Sequence, residues 1–357
     1  MLRVITCLEP RESVRAAVGR NQMSQRNRVT FTAQLAMVGV VILLAPIPVA
    51  GQGASSSTTT AATSVEFKTP WGDPDLQGIW SYASITPLQR PTELEGREFL
   101  TEEEVAEQNN AGATRASSER RSELTPERDL GLAYNQVWWD RGTSTGRTSL
   151  IVNTPDGRLP PLTPVGEKRQ AERQEYRRTH QFDSWVDRPL QERCMTYQRV
   201  PPVPSGYNNT YHILQTPGYV AILNEMVHDV RFVPIDGDPH VSERIRQWNG
   251  DSRGHWENNT LVVETTNYSD KTTWRGFPGV GRTLRAVERF TRIDADTIDY
   301  RFTIDDPTTY TRPWTVELPL ARLPSYVIYE YACHEGNYSI ANVLTGARAQ
   351  EKARQAP

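Results

Sequence analysis

Residues 329–338, YEYACHEGNY, gather a cysteine, a histidine and two glutamates into a short stretch of chain. A carboxylate beside an imidazole is the usual acid/base pairing, because the carboxylate orients the ring and raises its basicity. Read as an extended strand, the stretch sets Glu330 and His334 on one face and Cys333 and Glu335 on the other. NEMVHDVR is a second grouping, in which Glu225, His228 and Arg231 fall near an expected strand end. Glu225, His228, Glu330 and His334 are therefore the candidate catalytic set, with Arg231 as a candidate clamp for an anionic substrate. In GDSRGHW, Asp251, Arg253 and Trp256 lead into a strand. The planar fork of Arg253 suits an anionic ligand, while an Asp251–Arg253 ion pair holding a turn is the plainer reading. Arg312 and Trp314, in TRPWT, form a candidate cation–π or carboxylate-binding corner, set against a surface arginine before a core tryptophan.

Several chemistries are absent. The chain has 6 histidines but no His-x-His or His-x-x-x-His pair, so no metal site is expected. It has no phosphate-binding glycine-lysine loop, no dinucleotide fingerprint and no Gly-x-Ser-x-Gly elbow, so no cofactor is expected. GFPGVGR, residues 276–282, contains proline and lies between strands, which makes it a loop. A net charge of -3 offers no basic footprint for nucleic acid.

The elements that position these residues begin after an address label. In residues 1–51, Arg26 and Arg28 precede an apolar run from Leu35 to Leu44, and small residues follow at Val49, Ala50 and Gly51. This reads as a signal peptide with an upstream extension, because the run is shorter than the roughly 20 apolar residues of a membrane-spanning helix. The expected location is the bacterial periplasm or the extracellular space, with no stable membrane span after cleavage. Removal of the leader takes Cys7 with it and leaves Cys194 and Cys333. In an oxidising compartment that pair favours a disulfide over two separately buried thiols.

Residues 52–68 read as a disordered small-polar linker. Residues 69–190 hold the first strands and a helical insertion. Thr101 and Glu104 have capping-box spacing, residues 163–180 form a charged helix, and residues 147–164 read as a strand, a turn and a return. Residues 191–345 alternate cleanly. TIDYRFTID and WTVELPL place every second residue on an apolar face, and YHILQT, YVAILNE, VRFVPID, GHWEN, TLVVETTN, LRAVERFTRI and YVIYEYACH fit the same period. Short connections require antiparallel neighbours. About eight such strands bury one face and hide their edges by closing into a calycin-like or related antiparallel barrel, with a β-sandwich as the alternative. Residues 346–357 read as a disordered tail.

The segments LQGIW, SLIVNTPDGRLPPLTP, ERC, QTPGYVAILNE, WNGDSRGHWENNTLVVETTN, VERFTRIDADTIDYRFTIDDP, TRPWTVELPL and YEYACHEGNY together resemble a large group of predicted exported bacterial proteins of unassigned function. The resemblance covers nearly everything after the linker and implies an envelope protein, with no catalytic residues attached. Two functions follow from the residues themselves. One is a hydrolase or lyase that uses the glutamates and histidines on a small molecule. The other is a non-catalytic carrier of an apolar small molecule inside the barrel. Convergence of acid and base on one substrate position separates them. The polar residues on the strands favour the enzyme.

Overall fold

The computed structural model describes residues 67–115, 125, 139–197, 200–272 and 281–355. The leader, the linker up to residue 66 and most of the GFPGVGR loop lie outside the described residues. Ten strands follow in chain order: β1 Gly78–Ser81, β2 Thr210–Thr216, β3 Tyr219–Asn224, β4 Val230–Pro234, β5 Asp251–Glu257, β6 Thr260–Thr266, β7 Arg285–Arg292, β8 Thr297–Asp305, β9 Trp314–Glu317 and β10 Leu320–Arg322. Their hydrogen-bonded order is β4-β3-β2-β1-β10-β8-β7-β6-β5, with β9 also on β8. The chain is a nearly closed antiparallel barrel of nine strand positions, and the sandwich alternative falls away.

WTVELPL, expected as one strand, is split at Pro319, which has no N–H to donate to a ladder. β9 and β10 pair successive halves of the same edge of β8. β10 also pairs with β1, whereas β9 takes its other neighbour from the segment after residue 147. That segment, expected as a strand, makes only two backbone hydrogen bonds beside β9, Val152 N–H to Thr315 O at 3.0 Å and Glu317 N–H to Leu150 O at 3.0 Å. The turn at Thr154–Gly157 ends the run before a ladder can extend. Gly157 sits at φ +63, and a Cβ there would lie 2.5 Å from Ser149 Oγ.

Every ladder on this path is antiparallel, and a closed ring of odd number cannot alternate throughout. β4 and β5 therefore run in the same direction where the ring closes. Residues 235–250 cross from one to the other, a span of the length that parallel neighbours require. No ladder joins them among the described residues. They meet through Gly254, where a Cβ would lie 2.8 Å from Val233 Cγ1. A side chain larger than hydrogen at 254 would push this seam apart.

The interior is filled by side chains that alternate inward. Trp80, Tyr82, Tyr211, Ile213, Val220, Ile222, Val263, Phe290, Tyr300, Phe302 and Trp314 belong to one buried cluster. At one end Gln215 accepts the Leu76 N–H at 2.6 Å and donates to Pro74 O at 3.0 Å, which satisfies buried backbone groups there.

Among the described residues three α-helices lie outside the ring: α1 Glu102–Arg115, α2 Pro164–His180 and α3 Ser339–Gln355. The capping box at α1 forms reciprocally, with Thr101 N–H donating to Glu104 Oε2 at 2.8 Å and Glu104 N–H to Thr101 Oγ1 at 3.3 Å. α2 starts at Pro164, and Gly166 N–H donates to Thr163 Oγ1 at 3.0 Å. Two expectations need correction. YVIYEYACH is not a strand, because β1 and β8 already take both edges of β10 and leave this segment no ladder partner. Residues 323–338 instead run as an irregular strap. The expected disordered tail is α3 as far as residue 355. Its Ala, Arg, Gln and Lys residues are strong helix formers, and Ser339 N–H donates to Asn337 Oδ1 at 3.2 Å. Arg348 fastens it to Phe182 O at 2.9 Å.

Beyond β8, buried Asp306 accepts from Thr309 Oγ1 at 2.6 Å, Gly281 N–H at 2.7 Å, Thr308 Oγ1 at 2.8 Å and Thr283 Oγ1 at 2.9 Å. Burial opposes ionisation, and these donors outweigh it, so the carboxyl lies below its usual range. A lowered carboxyl contributes stability that is present above its unfolded value of about 4 and is lost as pH falls through the folded one. Asp306→Asn should therefore unfold about 2 kcal/mol more easily in urea at pH 7. The gap to wild type should narrow below about pH 4; a gap that stays constant with pH would contradict the assignment.

Candidate functional site

A cavity of about 940 Å³ lies between the flank of β1–β2 and irregular segments at residues 190–197, 200–209 and 323–338. Cys194 and Cys333 join those segments, with sulfurs 2.08 Å apart and Cα atoms 5.7 Å apart. The expected disulfide is present and acts as a tie between the two walls. Asn337 adds a second tie, donating to Glu192 O at 3.2 Å.

Glu225 reaches this cleft from the turn between β3 and β4. It is only 3% exposed, and its N–H is fixed to Thr210 O at 3.0 Å. Tyr326, on the strap, donates its hydroxyl to Glu225 Oε1 at 2.6 Å. Glu225 Oε2 is also buried and has no hydrogen-bond partner. A buried carboxylate oxygen left without a donor costs several times what it costs in water. Burial, and after it the hydrogen bond to Glu225, push the Tyr326 hydroxyl above its ordinary value. Asp140 sits at the rim, where partial desolvation and the charge of Glu225 raise its carboxyl.

The turn that delivers Glu225 is strained. Val227 and His228 stand at φ +63 and +46, the left-handed region that β-branched residues avoid. Cys194 at φ +53 and Asn208 at φ +52 sit on the facing segment. Four of the six non-glycine residues described with positive φ thus lie on the turn and the segment that frame the cleft, and Asn208 lines it. Such conformations cost about 1–3 kcal/mol each and persist where surrounding structure imposes them. Here buried Met226 and Val227 anchor the turn.

Of the predicted catalytic set, Glu225 and Glu330 line the same cleft. His228 does not enter it. Its Nδ1 donates to Tyr331 O at 2.9 Å, so the ring latches the strap to the turn. His334 is exposed and is not among the lining residues, which corrects its place in the set. The shared-face argument for Glu330 and His334 fails because the stretch is not a strand.

The predicted binding residues disperse. Arg231 points into the barrel, where it forms a two-pronged ion pair with Glu288, one contact at 3.0 Å; Glu288 is fully buried and also accepts from Tyr300 at 2.8 Å. Burial works against the Arg231 charge, and the Glu288 carboxylate more than compensates, so the guanidinium is held protonated. Arg231 thus clamps a protein side chain at a second cavity of about 530 Å³ beside the seam. Asp251 accepts from His240 Nδ1 at 2.7 Å and Val241 N–H at 3.1 Å, with Arg253 Nε 3.5 Å away, so this pair holds the crossing connection. Trp256 is half-buried against the core. Trp314 is a core residue between Phe302 and Tyr310, and Arg312 is exposed, so no ligand corner forms.

Sequence reasoning missed Tyr326, Asp140 and the rings of Tyr197, Tyr207, Tyr329 and Tyr331 that line the cleft. The density of tyrosine in YVIYEY was the available signal, and its strand-like spacing disguised it. Among the described residues, no group of three or more His, Cys, Asp or Glu is placed to hold a metal ion, and no helix is long and apolar enough to cross a membrane. No protein-family model, curated protein or solved structure matches this chain.

Proposed function

We propose that this chain is an exported bacterial enzyme, a hydrolase or lyase, that acts on a small molecule in the strap-covered cleft with Glu225 as its acid/base group. One observation carries the reading. Glu225 lines the cleft and is 3% exposed, with one oxygen held by Tyr326 and the other, Oε2, buried with no protein donor. A general acid or base needs this arrangement, in which one oxygen is oriented and the second is reserved for a substrate proton. Tyr326 is a positioning residue, and Glu330 lends negative charge at the rim. Export to the periplasm or beyond is supported by the leader-like N-terminus and by the disulfide. Packing of aromatic rings in the barrel interior and the ion pair that crosses it favour the cleft over the barrel lumen as the place of the small molecule.

Incubated with a small-molecule extract of bacterial periplasm, the protein should consume at least one compound as followed by mass spectrometry. Glu225→Gln should slow that consumption about 10²–10⁴-fold with little change in unfolding temperature. Equal consumption by the variant removes Glu225 from the chemistry. A compound bound and never consumed returns the carrier.

A further inference from the structure

The cleft has a one-sided chemistry. Asp140, Glu192, Glu225, Glu330 and Glu335 line it, and none of its described lining residues is lysine or arginine; Glu192 is already neutralised by a two-pronged ion pair with Arg188 at 2.9 Å, which leaves the other four to set the charge. Exposed acidic side chains alone would be an ordinary solvated surface. Glu225 is different, because it is 3% exposed and its Oε2 is buried without a donor. Tyr326 Oη supplies one hydrogen bond to a group that accepts several. A donor that carries positive charge would meet this deficit best, since it compensates a desolvated carboxylate far better than a neutral one. Tyrosines line the remaining walls, and the negative face of an aromatic ring attracts cations. Tyr329, 77% exposed on the strap, leaves a ring available at the entrance.

We propose that the cleft binds a small organic ammonium ion, with an N–H of the cation donating to the Glu225 carboxylate and its alkyl or aryl part against the tyrosines of the strap. The proposal names the substrate class of the site described above and rests on that reading for catalysis alone; binding stands without it. Anionic molecules are repelled by the same carboxylates. Neutral polyols can donate to the Glu225 carboxylate but gain nothing from the surrounding charge.

Calorimetry on the full exported chain with three probes of one shape tests this: benzylammonium, benzyl alcohol and benzoate. Benzylammonium should bind at least about 10-fold more tightly than benzyl alcohol, weaken as salt is raised from 0.05 to about 0.5 M, and leave benzoate unbound. Glu225→Gln should lower its affinity at least about 10-fold. Glu330→Gln, on an exposed side chain that the fold does not need, should lower it about 3-fold by removing rim charge. Benzyl alcohol binding as well as the ammonium, or an ammonium affinity unchanged in both variants, overturns the proposal. So does no ammonium binding at millimolar concentration. Consumption of a neutral substrate that depends on Glu225, with no ammonium binding, would overturn this inference and keep the enzyme; ammonium binding without turnover of any amine would do the reverse.

Discussion

Replacing Arg231 by methionine should destabilise the protein by about 3–5 kcal/mol, the cost of leaving a fully buried carboxylate without its cation. Glu288 has no exposure, and its other described donor is the Tyr300 hydroxyl, which cannot neutralise a charge. For a chain of this size the unfolding temperature should fall by on the order of 10 °C. The double change Arg231→Met with Glu288→Leu should recover most of that loss, because two apolar side chains replace the pair without stranding a charge. A double variant no better than the single one would mean that the pair holds the seam by shape. The position matters to the whole ring. Arg231 stands on β4 and Glu288 on β7, so the pair crosses the interior from the strand beside the seam to the far wall.

Serine at both Cys194 and Cys333 should have an effect of similar size by a different route. The bridge closes a separation of 139 residues, and the chain-entropy relation gives about 5 kcal/mol for a loop of that length. The loss acts on the unfolded chain, so differential scanning calorimetry with and without reductant should reproduce it in the unmutated protein. Mass spectrometry that finds both thiols free in the exported protein would remove this prediction at its root. Because the bridge joins the two walls of the cleft, binding there should weaken even at temperatures where the reduced barrel stays folded. A structural bridge elsewhere would leave ligand affinity alone.

The strands from β2 to β8 were legible because each buries one face, so composition alternates where the structure does. TIDYRFTID is the clearest case, with Ile298, Tyr300, Phe302 and Ile304 all buried. The helix starts were legible for a local reason too, since Thr101 and Glu104 satisfy each other within one turn. The strap was not legible. Its tyrosines have strand periodicity, and only the absence of a vacant barrel edge decides against a strand. The site was half legible. Glu225 and Glu330 were named from the sequence and line one cleft, but the contact that orients Glu225 comes from Tyr326, 101 positions away. Arg231 was misassigned because Glu288, its partner across the interior, sits inside a run that reads as an ordinary amphipathic strand.

The parallel contact between β4 and β5 also sets where the molecule opens first. Every other neighbour pair on the ring shares a hydrogen-bonded ladder, so amides there are released only when a ladder breaks. The facing edges of β4 and β5 carry no such ladder among the described residues, and their protection from exchange with solvent rests on side-chain packing around Gly254 and Val233. In native-state hydrogen exchange these edges should label well before the shared edge of β7 and β8. The same opening uncovers two unpaired strand edges, which are templates for pairing with a second chain. Exposed Phe232 on the outer face of β4 would sit at that junction. The odd strand count thus carries a solution liability: brief breathing at one seam exposes the sticky edges that closure of the ring otherwise hides.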